Sequence, residues 1–207
     1  MGRRSIHTAD ELRALILEAS TALISEQGLA GLSAREIARR IGYSPGTLYN
    51  VFDNLDELVL TIEGQMLDQL SAVLDTVASG RSHETFVLEF ARAYVRFTRE
   101  HPKLWNLLFE HHLPADRTVP VWYQQKLDGL MSRLADALQP AMSGASPDEI
   151  RRAASVLWAG VHGLTSLATA DKLSAVTNES VGPLVDDLVG TYLSGVKSRY
   201  NARSTSS

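Results

Sequence analysis

Two ten-residue stretches that follow one another without a gap decide the fold: Ser33-Ala34-Arg35-Glu36-Ile37-Ala38-Arg39-Arg40-Ile41-Gly42 and Tyr43-Ser44-Pro45-Gly46-Thr47-Leu48-Tyr49-Asn50-Val51-Phe52. Ser33 is a helix-capping residue with Glu36 three positions on, Leu32 before the cap and Ile37 at the fourth helical position, so capping box and hydrophobic staple coincide. Ile37, Ala38 and Ile41 give the helix that opens there one apolar face, and Gly42 supplies its stop. After a single residue Ser44 caps again, with Pro45 at the first helical position, where a missing N–H costs nothing. Tyr43 and Leu48 repeat the staple, while Leu48, Val51 and Phe52 share one face of this short third helix. Its other face holds Gly46, Thr47, Tyr49 and Asn50. Two helices joined so tightly, the second short and opening with small polar groups, match what a major groove about 12 Å wide accepts.

Working outward, helical periodicity continues in both directions. Leu12, Ile16, Ala19 and Leu23 step along one face of a first helix, which Gly28 is placed to end as a left-handed stop. A fourth helix is predicted over Leu55–Val77, with Leu58, Ile62, Met66, Leu70 and Leu74 inward. Further helices are predicted at about His83 to Glu100, Pro102 to His112, Pro120 to Leu138, Pro147 to Ala170 and Pro183 to Arg199, the fourth of these opened by a capping box at Ser146 and Glu149. No segment alternates with period two, so the fold class is all-α. The expected domains are a head over residues 1–56, a helical body over 57–200 and a disordered tail over 201–207.

Composition narrows the function. With 207 residues, 44% hydrophobic and 21% charged, the chain buries a substantial core, and its formal charge of −4 excludes a basic nucleic-acid coat. Residues 1–54 hold six Arg against six acidic residues, so the head is neutral and its DNA affinity is expected to have a shallow salt slope. The lack of cysteine excludes disulfide scaffolds, thiolate metal sites and cysteine nucleophiles. The basic start at Arg3 and Arg4 is followed by no apolar signal core, so secretion is not expected. The longest uncharged run, Ala153 to Ala170, falls short of the roughly 20 residues that cross a bilayer and reads as a buried helix.

The segment from Leu12 through Leu58 resembles the tetracycline-repressor (TetR) family of bacterial regulators, since the spacing, the caps, Gly42, Leu48, Tyr49, Phe52 and Leu58 fall in place together. Trp158-Ala159-Gly160-Val161-His162-Gly163 is similar to a Trp…His-Gly signature in the C-terminal domain of one branch of that family. The resemblance implies a cytoplasmic, sequence-specific DNA-binding regulator. It would act as a homodimeric repressor on an approximately palindromic operator and be released by a small apolar or aromatic effector. It implies that the third helix is the recognition helix: Gly46 lets the backbone approach DNA, Thr47 and Asn50 read bases, and Tyr49 directs its hydroxyl at a phosphate. Arg35 and the N–H groups opening the two helices at Ser33 and at Ser44 and Pro45 would hold the DNA backbone, and Arg3 and Arg4 would form a minor-groove arm. The family commonly opens its fourth helix with Lys, whereas Leu55 leaves no cation there.

By the same resemblance the last two long helices pair with those of a second copy, with Leu157, Trp158, Val161, Leu164, Leu184, Leu188 and Tyr192 supplying burial. Met66, Phe90, Tyr94, Phe97, Trp105, Phe109, Trp122 and Tyr123 are the candidates for an effector pocket, although aromatic stripes at helical spacing read equally as core. His162, a lone His beside Gly on an apolar helix, reads as a hydrogen-bonded packing residue, and Arg39 and Arg40 as ion-pair partners. His101, His111 and His112 lack the spacing that puts two ligands on one helix face, so no metal or other cofactor is expected. Phosphate-cradling loops, nucleophile elbows and dinucleotide fingerprints are missing, so enzymatic activity has no support. The competing readings are a ligand-binding or enzymatic helical bundle with a purely structural head, and an architectural DNA-binding protein without effector.

Overall fold

A computed structural model describes residues 7–77 and 83–204. Among the described residues there are eight α-helices and four short 3-10 helices and no strand, in agreement with the all-α expectation. The α-helices are α1 (Ala9–Gln27), α2 (Ala34–Ile41), α3 (Leu55–Val77), α4 (His83–Glu100), α5 (Pro102–Glu110), α6 (Val121–Leu138), α7 (Pro147–Thr169) and α8 (Val181–Ser204). They group into two compact units, Met1–Leu67 with His101–Tyr123, and Asp68–Glu100 with Gln124–Ser207. The segment read as the head therefore shares its unit with the first part of α3 and with α5.

In the first unit, α1 opens with a complete capping box that the sequence reading did not single out: Thr8 N–H donates to Glu11 Oε2 at 2.7 Å and Glu11 N–H to Thr8 Oγ1 at 3.3 Å. Its apolar face, Leu12, Ile16, Leu23 and Ile24, is buried, and the helix packs on α2 and α5. Gly28 ends it at φ 75° and ψ −174°, a region open to glycine but not the αL geometry expected there. On α2, Ser33 Oγ accepts the Glu36 N–H at 3.2 Å, but the other half of the predicted box is absent because Arg39 Nε holds the Glu36 carboxylate at 3.0 Å. Gly42, at φ 75° and ψ 29°, is the αL stop that lets the chain reverse within one residue.

The predicted third helix is a 3-10 helix over Pro45–Asn50. Six residues that include Pro and Gly can close few i→i+4 bonds, and the tighter i→i+3 pattern serves so short a piece, as in Thr47 N–H to Ser44 O at 3.0 Å.

In the second unit α4, α7 and α8 pack on one another. Arg92 on α4 forks onto Asp186 of α8 at 2.9 and 2.8 Å and reaches Glu89 at 2.8 Å, and its guanidinium holds the Asp186 carboxyl below the usual carboxylate range. The box at Ser146 and Glu149 is complete. A Cβ at Gly160 would stand 3.0 Å from Leu188 Cδ2, so this glycine lets α7 and α8 approach. Both ends of the last helix differ from the sequence reading. α8 begins before Pro183, since a proline in the first turn loses no intrahelical bond, and it continues to Ser204, so residues 201–204 are helical rather than tail. Residues 205–207 lie outside the described residues.

Candidate nucleic-acid interface

Within the 3-10 helix only Leu48 is buried, at 1% exposure. Around that anchor Ser44, Pro45, Gly46, Tyr49 and Asn50 are exposed and Thr47 is half-buried, with the Tyr49 ring 52% exposed. A Cβ at Gly46 would meet nothing within 4 Å, so nothing in the protein's own packing requires glycine there. Tyr43 fixes the entry to the turn: its N–H donates to Ala38 O at 2.9 Å and its hydroxyl lies 2.6 Å from His7 Nδ1. Ser44 has the extended backbone of a cap, but its hydroxyl pairs with Thr47 Oγ1 at 3.0 Å instead of a backbone N–H, because a 3-10 turn eclipses side chains three apart. Arg35 is exposed and makes no ion pair among the described residues, whereas Arg39 is paired with Glu36 and Arg40 with Glu26. Ser33 spends its hydroxyl on the α2 cap, which aims the free N–H groups of that helix outward from an exposed corner. Arg3 and Arg4 lie outside the described residues.

The eight residues expected to line an effector pocket divide between the units. Met66, Trp105, Phe109, Trp122 and Tyr123 belong to the first, where Met66, Trp105 and Tyr123 are buried while Phe109 and Trp122 are each 41% exposed. Phe90, Tyr94 and Phe97 belong to the second and are buried on α4. Phe90 and Tyr94 line a cavity there with Val87, Ala91, Leu134 and α7 residues Leu157, Trp158 and Val161. It measures about 20 Å³, room for one water.

Residues 16–62 match the family described as bacterial regulatory proteins, tetR family, and residues 87–192 match the tetracyclin repressor-like C-terminal domain. The chain belongs to the TetR family. An HTH-type transcriptional regulator of Mycobacterium tuberculosis is 28% identical over 191 residues, an alignment covering 76% of this chain and 80% of the relative. Among solved structures, a protein of unknown function from Rhodococcus sp. RHA1 superposes with a TM-score of 0.75 at 21% identity, covering 94% of this chain and 98% of that one. The transcriptional regulator FadR from Bacillus subtilis, solved in complex with stearoyl-CoA, superposes with a TM-score of 0.64 at 14% identity over 88% of this chain and 98% of that one. This TetR-family chain is a DNA-binding transcriptional regulator, and among its described residues no helix is long and apolar enough to cross a membrane.

In the second unit of the TetR-family chain the residues expected on a dimer face differ in exposure. Leu157 and Val161 are 2% and 4% exposed within their own unit, and Trp158 turns to the small cavity, stacked on His162 with centroids 5.2 Å apart at 8°. Neighbouring helical residues point about 100° apart, and the apolar stripe left exposed on α7 is Val156, Ala159, Gly163 and Leu167. Leu164, Leu184, Leu188 and Tyr192 are half-buried, and Tyr192 donates its hydroxyl to Ala153 O at 2.8 Å.

The first unit contains a polar cluster that local spacing does not disclose. His111 Nδ1 lies 3.0 Å from Glu63 Oε1 and its Nε2 3.3 Å from Asp56 Oδ1, while Arg117 Nη1 approaches Asp56 Oδ2 at 3.6 Å. Glu63 is 2% exposed and also hydrogen-bonds Tyr123, whose phenol is pushed well up by burial and by that carboxylate. α5 ends at Glu110 rather than His112, and His111 is extended at φ −77° and ψ 126°, its ring held between the two carboxylates.

Proposed function

We propose that this TetR-family regulator is a cytoplasmic homodimeric repressor that reads an approximately palindromic operator through Thr47, Tyr49 and Asn50. The observation that carries the assignment is the single-anchor turn: Leu48 alone is sunk, and an aromatic, an amide and a hydroxyl surround a glycine that the fold does not need. Thr47 and Asn50 face base edges, the Tyr49 hydroxyl meets a phosphate, and Arg35 with the N–H groups opening α2 holds the adjoining backbone. Two such heads, with residues 1–56 as the DNA-binding domain, match half-sites in successive major grooves, and the exposed stripe on α7 together with Leu184 and Leu188 on α8 joins the copies.

A small apolar or aromatic effector releases the DNA. Support comes from the aromatic lining of the α4–α7 cavity, at Phe90, Tyr94 and Trp158, and from the acyl-CoA complex of the Bacillus subtilis neighbour. Because the cavity holds only one water, an effector has to open it, and it therefore binds a conformation other than the closed one and draws the population toward it.

The test is selection of bound duplexes from a random pool, followed by titration of the recovered site with wild type and with Tyr49→Ala plus Asn50→Ala. The double variant should lose roughly tenfold or more in affinity for that site while its melting temperature stays at the wild-type value. Recovery of no preferred duplex would reject sequence recognition, and retention that ignores sequence and collapses with salt would make the protein architectural.

A further inference from the structure

The reading turn is held at its exit by a side chain from α1. Arg13 Nη1 donates to the Val51 carbonyl at 3.2 Å, its guanidinium carbon lies 4.2 Å from the centroid of the Phe52 ring, and Nη1 stands 3.9 Å from Glu57 Oε1. The other oxygen of Glu57 accepts the Asp53 N–H at 2.6 Å, and Asn54 Oδ1 accepts the Glu57 N–H at 3.0 Å to open α3. One guanidinium thus meets the carbonyl that follows the turn, the next aromatic ring and the first turn of α3.

A short helix held at its entry, by Tyr43, and by one buried side chain can still tilt about the line between them. The turn has Leu48 as its only buried residue, and no side chain caps its first turn because Ser44 is spent on Thr47. Its orientation therefore needs a fixed point at the exit as well, which the buried Phe52 and the Val51 carbonyl under Arg13 provide. The guanidinium suits this task because it is planar and stacks on a ring while donating in its own plane, which an ammonium cannot do. Val51 directly follows Asn50, so an error in its position passes to Asn50 and Tyr49 with almost no chain to absorb it.

We propose that Arg13 is a positioning residue for operator recognition: clamped on Val51, Phe52 and Glu57, it sets the angle at which the Pro45–Asn50 turn enters the groove and does not itself contact DNA. The inference rests on the recognition reading above. Its direct rival is a phosphate contact, which the 38% exposure of the Arg13 side chain would allow. Salt separates the two, since losing a phosphate contact lowers the slope of log affinity against log salt by about one, whereas losing a positioning residue leaves it unchanged.

Full-length wild type, Arg13→Met and Arg13→Lys are titrated across salt with the duplex recovered by selection and with a scrambled duplex, and their melting temperatures are measured. Arg13→Met should bind the selected duplex about tenfold more weakly, with scrambled-duplex affinity and salt slope unchanged, and Arg13→Lys should recover part of the loss through its remaining donor. Equal weakening on both duplexes with a slope lower by about one would overturn the proposal in favour of a phosphate contact. Unchanged affinity on both would overturn it outright. If Arg13→Met fails to fold, Arg13→Lys carries the same comparison, and an unfolded Arg13→Lys overturns the proposal by placing Arg13 in the fold itself. A wild type that prefers no duplex removes the recognition reading, and this inference with it, before any variant is measured.

Discussion

His111 in the first unit and His162 in the second are both largely shielded from water, yet their surroundings push their proton affinities in opposite directions. His111 has a carboxylate oxygen against each ring nitrogen, at 3.0 and 3.3 Å, and only the imidazolium can donate on both sides. The hydrogen bond to Glu63 raises its pKa against the pull of burial, with Asp56 adding to the effect. His162 lies flat on Trp158 with Nδ1 2.9 Å from the Tyr94 hydroxyl, and burial lowers its pKa. Burial alone therefore does not set the state of a histidine; the charge of its immediate partner does. The first unit is braced by an ionic strut between α3 and the segment after α5, the second by a neutral aromatic stack.

The sharpest way to break this contrast is His111→Ala, which takes the cationic partner from the buried Glu63 carboxylate and leaves it Tyr123, and should cost about 3 kcal/mol of stability in urea unfolding at pH 6. A group whose folded pKa is raised contributes fully below its unfolded value, about 6.5, and loses that contribution as pH climbs through the folded value. The deficit of the variant should accordingly narrow toward alkaline pH, and a deficit independent of pH would show that His111 is not ionised. For His162 the sign reverses: the unfolded chain takes up a proton below about pH 6.5 while the folded ring resists, so this residue costs stability as pH falls. His162→Gln should lose about 1 kcal/mol at pH 7 with the Tyr94 contact and should remove that acid-side penalty. The two slopes oppose one another in the wild type, so stability should rise with pH in His111→Ala and fall with pH in His162→Gln. The smallest effect belongs to Tyr94→Phe, at most about 1 kcal/mol, with the wild-type pH profile retained because burial rather than the Tyr94 bond depresses His162.

Most of the architecture was legible because local signals carry it. Gly42 and the Ser146 and Glu149 box mark helix ends through bonds that span at most four residues, and α3 and α4 occupy the predicted ranges. Thr8 and Glu11 carry the same signal and were open to the same reading. What escaped depends on distance along the chain or on which side of an apolar helix faces inward. His111 finds partners 48 and 55 residues away and Arg13 finds Val51 38 residues away, which no spacing rule encodes. On α7 apolar residues surround the helix so completely that Val156 and Leu157 look alike in the sequence, although one is 54% exposed and the other 2%. The Pro45–Asn50 turn is legible as a motif with Ser44 at its N-cap, but the pairing of the Ser44 hydroxyl with Thr47 is not, because a neighbour at i+3 becomes a competitor only once the helix tightens to 3-10.

The 23 residues of α3 form a rod about 34 Å long that opens three residues after Phe52. Small angles at one end of such a rod become large arcs at the other: a swing of about 5° carries the tip roughly 3 Å. A helix this long thus turns an angle too slight to break any of its own hydrogen bonds into a displacement of atomic size.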